Sequence, residues 1–248
     1  MTRRIRILSI YLSLGAVLLA SPLAWGRSSG RATSAQLEAA TMIIEYNSSA
    51  EDIGVQFFLD SEGWTSVEIT DPNGEEIFGA ETEGILSEQG GGTELFLESV
   101  EPTLDELSFQ KFFRRFPEGI YRFRAESEDG GTQNGKALFT HVIPAGPVIT
   151  SPVNPNGGCA LKVAIPTVID WEPVTETVFG DPVTIQGYEV IVESDETNFD
   201  VHIPASAGTQ LTVSAETLQA GVTYNFEVLA IEEGGNQTIT EGCFVPGR

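Results

Sequence analysis

Two cysteines, Cys159 and Cys243, and two histidines, His141 and His202, are all the thiols and imidazoles in this 248-residue chain. A nucleophile needs a base beside it. Both histidines fall inside predicted strands and both cysteines are expected to be oxidised, so no catalytic triad is predicted. Two lone cysteines without neighbouring histidines do not make a metal centre either. With 36 acidic residues, some carboxylate pair always lies at a hydrolase-like spacing, and that count carries no weight. The glycine runs Gly90-Gly91-Gly92 and Gly130-Gly131 lack the Lys-Ser/Thr that a phosphate loop needs.

Three binding chemistries remain open. Asp71-Pro72-Asn73-Gly74-Glu75-Glu76 and Glu126-Ser127-Glu128-Asp129-Gly130 gather oxygens in turns, as calcium requires, although neither has the twelve-residue helix-flanked loop. Their other reading is a solvated hairpin turn, and no other cofactor is expected. Lys111, Arg114, Arg115, Arg122 and Arg124 cluster in sequence and form a candidate patch for an acidic partner, partly neutralised by Asp105, Glu106 and Glu118. Trp64, beside a turn, is the candidate aromatic platform for a sugar, with a core position as its alternative.

The compartment is read from the N-terminus. Arg3, Arg4 and Arg6, an apolar stretch from Ile7 to Ala20 and the small-x-small site Ala24-Trp25-Gly26 predict a cleaved secretory signal over 1–26. The stretch is shorter than the roughly 18 apolar residues of a membrane span, so no stable membrane insertion is expected. Cleavage leaves ten basic against 36 acidic residues, a net charge of about −26. Such a field repels nucleic acid and anionic lipid and favours basic partners or divalent cations. Two cysteines in an exported chain predict one disulfide. Asn47-Ser48-Ser49 and Asn236-Gln237-Thr238 fit the glycan acceptor pattern of a eukaryotic secretory route.

The elements that must carry these groups are strands. From 147 onward, 148–150, 167–171, 187–193, 198–203, 210–213, 224–231 and a last strand after Gly234-Gly235-Asn236 make seven in about 100 residues, with Tyr188, Val190 and Val192 on one face. Leu218, a glycine turn at Gly221, then Tyr224 opening an alternating strand resembles the tyrosine corner of a fibronectin type III domain. Trp171 and Tyr188 are similar to that family's core aromatics. The resemblance implies a sandwich in which Cys159 and Cys243 reach the same pole and can bond. Residues 175–182 depart from it as an insertion-like loop, and no Arg-Gly-Asp is present.

Before Pro144-Ala145-Gly146-Pro147, read as a flexible domain boundary, strands are predicted at 42–46, 54–59, 66–70, 75–78, 93–97, 119–125 and 136–142. The hairpin around Asp71-Pro72-Asn73-Gly74 and the run Pro117 to Phe123 resemble bacterial immunoglobulin-like sandwiches. One helix is predicted from a capping box at Thr103 and Glu106 through the Phe112, Phe113, Phe116 face to Pro117. The fold class is therefore all-β: signal peptide 1–26, disordered segment 27–40, an immunoglobulin-like sandwich over 41–146 and a fibronectin type III-like sandwich over 147–248. The function expected is an exported, non-enzymatic module that recognises a protein or glycan. The alternatives are a carboxylate hydrolase or accessory domain in the first sandwich and a calcium-tuned envelope protein.

Overall fold

The computed structural model describes residues 34–247, so the expected signal over 1–26 lies outside the described residues. The first half runs β1 (Ser34–Gln36), β2 (Ala39–Asn47), β3 (Asp52–Trp64), β4 (Ser66–Thr70), β5 (Glu76–Glu81), the single-turn helix α1 (Gly84–Glu88), β6 (Gly92–Glu98), α2 (Phe109–Arg115), β7 (Gly119–Glu126) and β8 (Thr132–Phe139). A five-stranded sheet in the order β1-β8-β7-β4-β5 packs against β2-β3-β6. Alternate residues of each strand point to one side, and they fill one core with Met42, Ile44, Phe57 and Leu59 meeting Val67, Ile69, Tyr121 and Phe123. Asp71 closes the β4–β5 hairpin by accepting 2.8 Å hydrogen bonds from the Asn73 and Glu75 N–H groups, while Gly74 takes the positive φ of 87°.

Three expectations for this half are corrected. Residues 34–40 are not disordered: β1 pairs in parallel with Thr132–Asn134, and Leu37 behind it is buried at 4% exposure. An apolar anchor of that depth outweighs the small, polar composition around it. The helix starts at Phe109, not at Thr103; residues 103–107 form a turn in which Glu106 Oε2 accepts from the Thr103 N–H at 3.2 Å. His141 lies beyond β8, where its ring stacks on Phe113 at 3.9 Å and Nε2 sits 2.7 Å from the Phe116 carbonyl.

The second half contains β9 (Ile149–Ser151), β10 (Ala160–Val163), β11 (Thr167–Trp171), β12 (Ile185–Glu193), β13 (Asn198–Pro204), β14 (Gln210–Val213), β15 (Tyr224–Glu232) and β16 (Gln237–Pro246). The sheet β14-β11-β9 packs on β13-β12-β15-β16 around Ile169, Trp171, Tyr188, Val190, Phe226 and Phe244. Tyr224 makes the expected corner: its hydroxyl accepts from the Gln219 N–H at 3.0 Å and donates to the Thr217 carbonyl at 3.2 Å. Trp171 meets Tyr188 edge-on at 5.2 Å, and the Tyr188 hydroxyl accepts from the Val174 N–H at 3.0 Å. Gly242 leaves room for the Phe226 ring, whose Cζ would lie 2.2 Å from an added Cβ. Cys159 and Cys243 are bonded, tying β10 to the end of β16.

The molecule is all-β, and its two sandwiches share a sheet. Gln237, Thr238 and Ile239 of β16 pair in parallel with Glu45, Tyr46 and Asn47 of β2, giving the continuous order β13-β12-β15-β16-β2-β3-β6.

Candidate functional site

The seam between the sandwiches is built from side chains that satisfy each other's backbones. Asn236 is 2% exposed; its Oδ1 accepts from the Ile44 N–H at 2.8 Å, and its Nδ2 donates to the Val142 carbonyl at 2.9 Å and Thr140 Oγ1 at 3.0 Å. Thr238 Oγ1 donates to the Pro144 carbonyl at 2.6 Å, and Asn47 Nδ2 to Glu241 Oε1 at 2.8 Å. The insertion-like loop 175–182 reaches across as well. The Val178 N–H bonds the Ile143 carbonyl at 3.0 Å and the Ala145 N–H bonds the Glu176 carbonyl at 2.9 Å. Phe179 then packs edge-on against Phe109 of α2 at 5.3 Å. Segment 144–147, expected to be flexible, is therefore held on both sides, with Pro144 and Pro147 buried.

The shared sheet has one outer face, and strand alternation decides what stands on it. On β12 the core takes Tyr188, Val190 and Val192, so Glu189, Ile191 and Glu193 point outward. Register places Glu227 opposite Ile191, Glu241 opposite Glu227, Gln237 opposite Glu45, and Glu98 opposite Gln56. Leu229 and Ile239, fully buried or nearly so, sit between these acids as an apolar floor. Glu45 and Glu189 are buried, one on each side of the seam, while Glu98, Glu193 and Glu227 are half-buried and Glu241 is exposed.

Two groups of acids result. Glu45, at 2% exposure, accepts on Oε2 from Gln56 Nε2 at 2.8 Å and from Gln237 Nε2 of the other sandwich. Glu98 and Glu101 offer oxygens within 4.8 Å of it, and Gly54 leaves space for the Glu101 side chain, whose Cγ would lie 2.8 Å from an added Cβ. Burial, then the charge of Glu101, pushes the Glu45 carboxyl up to about 8, against the opposing hydrogen bond from Gln237. The second group is Glu189, Asp200 and His202, where burial and then the Asp200 charge raise Glu189 to about 7. The charge of Glu227 acts on both Glu45 and Glu189, which makes the two groups one electrostatic array.

The residues singled out from the sequence distribute differently. Trp64 is no platform: it is buried at 7% exposure, and its indole lies against Gly92, where an added Cβ would come 2.9 Å from Cζ2. Ile53, Val55, Phe57 and Leu59 set the inward row of β3 at odd positions, and a register shift between Asp60 and Trp64 turns Trp64 into the same core against that alternation. Lys111, Arg114 and Arg115 are exposed on α2, whereas Arg122 and Arg124 are exposed on β7. The five thus divide between two elements. Arg114 and Arg115 occupy the last turn of α2, where a cation complements the helix dipole. Arg124 pairs with Glu126 at 2.5 Å and lines an open groove of about 410 Å³ with Glu68, Glu76 and Glu81.

The acidic turns use their carboxylates internally. Besides the two backbone donors already described, Asp71 receives Asn73 Nδ2 at 3.1 Å; burial raises its pKa, and these hydrogen bonds outweigh it and hold the group below the usual range. Asp129 Oδ1 accepts from Ser127 Oγ at 2.6 Å and from the Gly131 N–H at 3.1 Å, which lowers its pKa likewise. Both glycan acceptor asparagines are buried, Asn47 at 4% and Asn236 at 2% exposure, and serve the seam instead. Among the described residues no helix is long and apolar enough to cross a membrane.

A pair of sandwiches sharing one sheet, with alternating inward faces and a tyrosine corner, defines a tandem β-sandwich protein. No family model matches the chain. Human Protein sidekick-1 is 39% identical over 97 residues, which is 38% of this chain and 4% of that protein's length. The solved structures to which the chain is similar include a two-domain fibronectin type III segment of chicken tenascin, at TM-score 0.30 and 12% identity over 86% of this chain and 98% of that one. The FN1–FN3 domains of chicken CNTN1 align at TM-score 0.31 and 13% identity, covering 86% of this chain and 66% of that one. A bacterial ice-binding adhesin aligns at TM-score 0.28 and 12% identity, covering 88% and 67%.

Proposed function

We propose that this protein is an exported, non-enzymatic interaction module whose two sandwiches, meeting at 144–147, hold one carboxylate-lined sheet face against a cationic protein segment outside the cytoplasm. The observation that carries the reading is the shared sheet: because β16 pairs with β2, the accessible carboxylates Glu98, Glu193, Glu227 and Glu241 stand on one outer face, with Glu45 and Glu189 buried beneath them. Such a face complements Lys- and Arg-rich segments and repels polyanions. The disulfide between Cys159 and Cys243 supports an oxidising compartment. Burial of Trp64 and Trp171 leaves a glycan without the aromatic platform that motivated that partner, so a protein is favoured. The reading requires no cofactor.

A hydrolytic reading has one observation in its favour, the convergence of Glu45, Glu98 and Glu101 with a raised Glu45 pKa. A general acid must reach its substrate, and Glu45 is 2% exposed beneath two glutamine amides. Binding needs only the accessible carboxylates of the same face, Glu98, Glu193, Glu227 and Glu241.

The test is binding of an oligo-arginine peptide, with Glu227→Lys compared against Glu128→Lys, which makes the same charge change in an exposed turn. Glu227→Lys is expected to weaken binding about tenfold, the effect of a well-placed charge, and Glu128→Lys to change it little. Equal losses in the two variants would reduce the attraction to net charge and remove the face from the account.

A further inference from the structure

Glu189 and His202 stand directly opposite each other on β12 and β13, and Asp200 lies two residues before His202 on the same face. Glu189 Oε1 is 3.4 Å from His202 Nε2, and the ligand-type atoms of all three residues lie within 4.8 Å of one another. Ligands held about 2.1 Å from zinc at the tetrahedral angle are about 3.4 Å apart. The oxygens themselves point to a missing ligand. Glu189 Oε1 and Asp200 Oδ2 are buried and accept no hydrogen bond from an N–H or hydroxyl group, their near contacts being each other and His202, and Glu189 is only 3% exposed. Two carboxylates converging on one point over the Leu229 floor, with Glu227 adding negative potential from β15, leave buried anionic oxygens that a cation would satisfy. An imidazole nitrogen among the donors separates this group from the all-oxygen sets that calcium and magnesium take.

We propose that Glu189, Asp200 and His202 form a binding site for one divalent transition-metal ion of the zinc class. β13 is the last strand of the shared sheet and the His202 side chain is 47% exposed, so the ion enters from the sheet edge and keeps positions open to solvent. This inference stands apart from the identity of any protein partner.

Titration of zinc chloride into the chelator-treated full chain tests it by calorimetry. One equivalent is expected to bind, and His202→Ala and Glu189→Gln are each expected to weaken binding by about tenfold or more. His141→Ala is expected to leave binding unchanged. His202 is exposed, so His202→Ala keeps the fold and decides the matter even where Glu189→Gln does not fold; a circular dichroism melt verifies this. Absence of zinc binding overturns the site, as does binding that survives His202→Ala or that is lost in His141→Ala. Calcium binding with zinc excluded overturns it equally.

Discussion

Glu45→Gln is expected to stabilise the protein above neutral pH and to flatten its stability across the range from about pH 4.5 to 8. The wild-type carboxyl titrates at about 8 when folded, against 4.5 when free. Below 4.5 both states hold the proton and folding incurs no cost from it. Between the two values the unfolded chain releases its proton while the folded chain keeps it, so stability falls as pH rises, levelling above about 8. Each unit of separation is worth about 1.4 kcal/mol, so the loss by pH 8 is on the order of 4 to 5 kcal/mol. Glutamine keeps an oxygen for Gln56 and Gln237 and turns an amide donor toward Glu98 and Glu101, which replaces repulsion with attraction. Urea unfolding midpoints at pH 5, 7 and 9 check this: the two proteins should converge at pH 5 and diverge at pH 9. Parallel profiles would mean that Glu45 ionises freely in the folded state.

Removing the disulfide with Cys159→Ser and Cys243→Ser should cost about as much by a different route. The bond joins positions 84 residues apart and encloses β10 to β15 and most of β16. In the chain-entropy model a loop of that length stabilises by roughly 4 kcal/mol, because its closure narrows the unfolded ensemble. For a chain of this size that corresponds to a melting temperature lower by roughly 10 °C. A fall of less than about 2 °C would show that β10 and the end of β16 stay paired in the unfolded state or that the bond contributes nothing net.

Much of the fold was legible because strand alternation is a local signal. Tyr188, Val190 and Val192 announce β12, and the Asp71 turn announces the β4–β5 hairpin, whose side-chain oxygen bonds need only neighbours in sequence. Trp171 and Tyr224 likewise mark the second core from within single strands. The seam was not legible. Asn236 reads as a turn residue, and nothing local shows that its amide meets Ile44 across 192 positions. The 175–182 loop stands out as an insertion, yet its anchor, the Phe179 contact with α2, exists only in three dimensions.

The site escaped for a related reason. Among 36 acidic residues, Glu45 and Glu189 differ only in sitting at outward positions that the shared sheet then buries. Their alternation reads as a solvent face. His202 was visible as one of two histidines, but its partners depended on the β12–β13 register, which fixes Glu189 opposite it. Trp64 misled in the opposite direction, since strand alternation from Leu59 places it outward and only the irregularity between Asp60 and Trp64 turns it into the core.

A single carboxylate face requires the two sandwiches to behave as one body through β16 and β2. Scanning calorimetry of the full chain tests this most directly. One transition, with calorimetric and van't Hoff enthalpies equal, is the predicted result, and Asn236→Ala should broaden or split it because it strips partners from Ile44 and Val142. Two separate transitions in the unaltered protein would contradict the shared sheet as a rigid platform and, with it, a single carboxylate face.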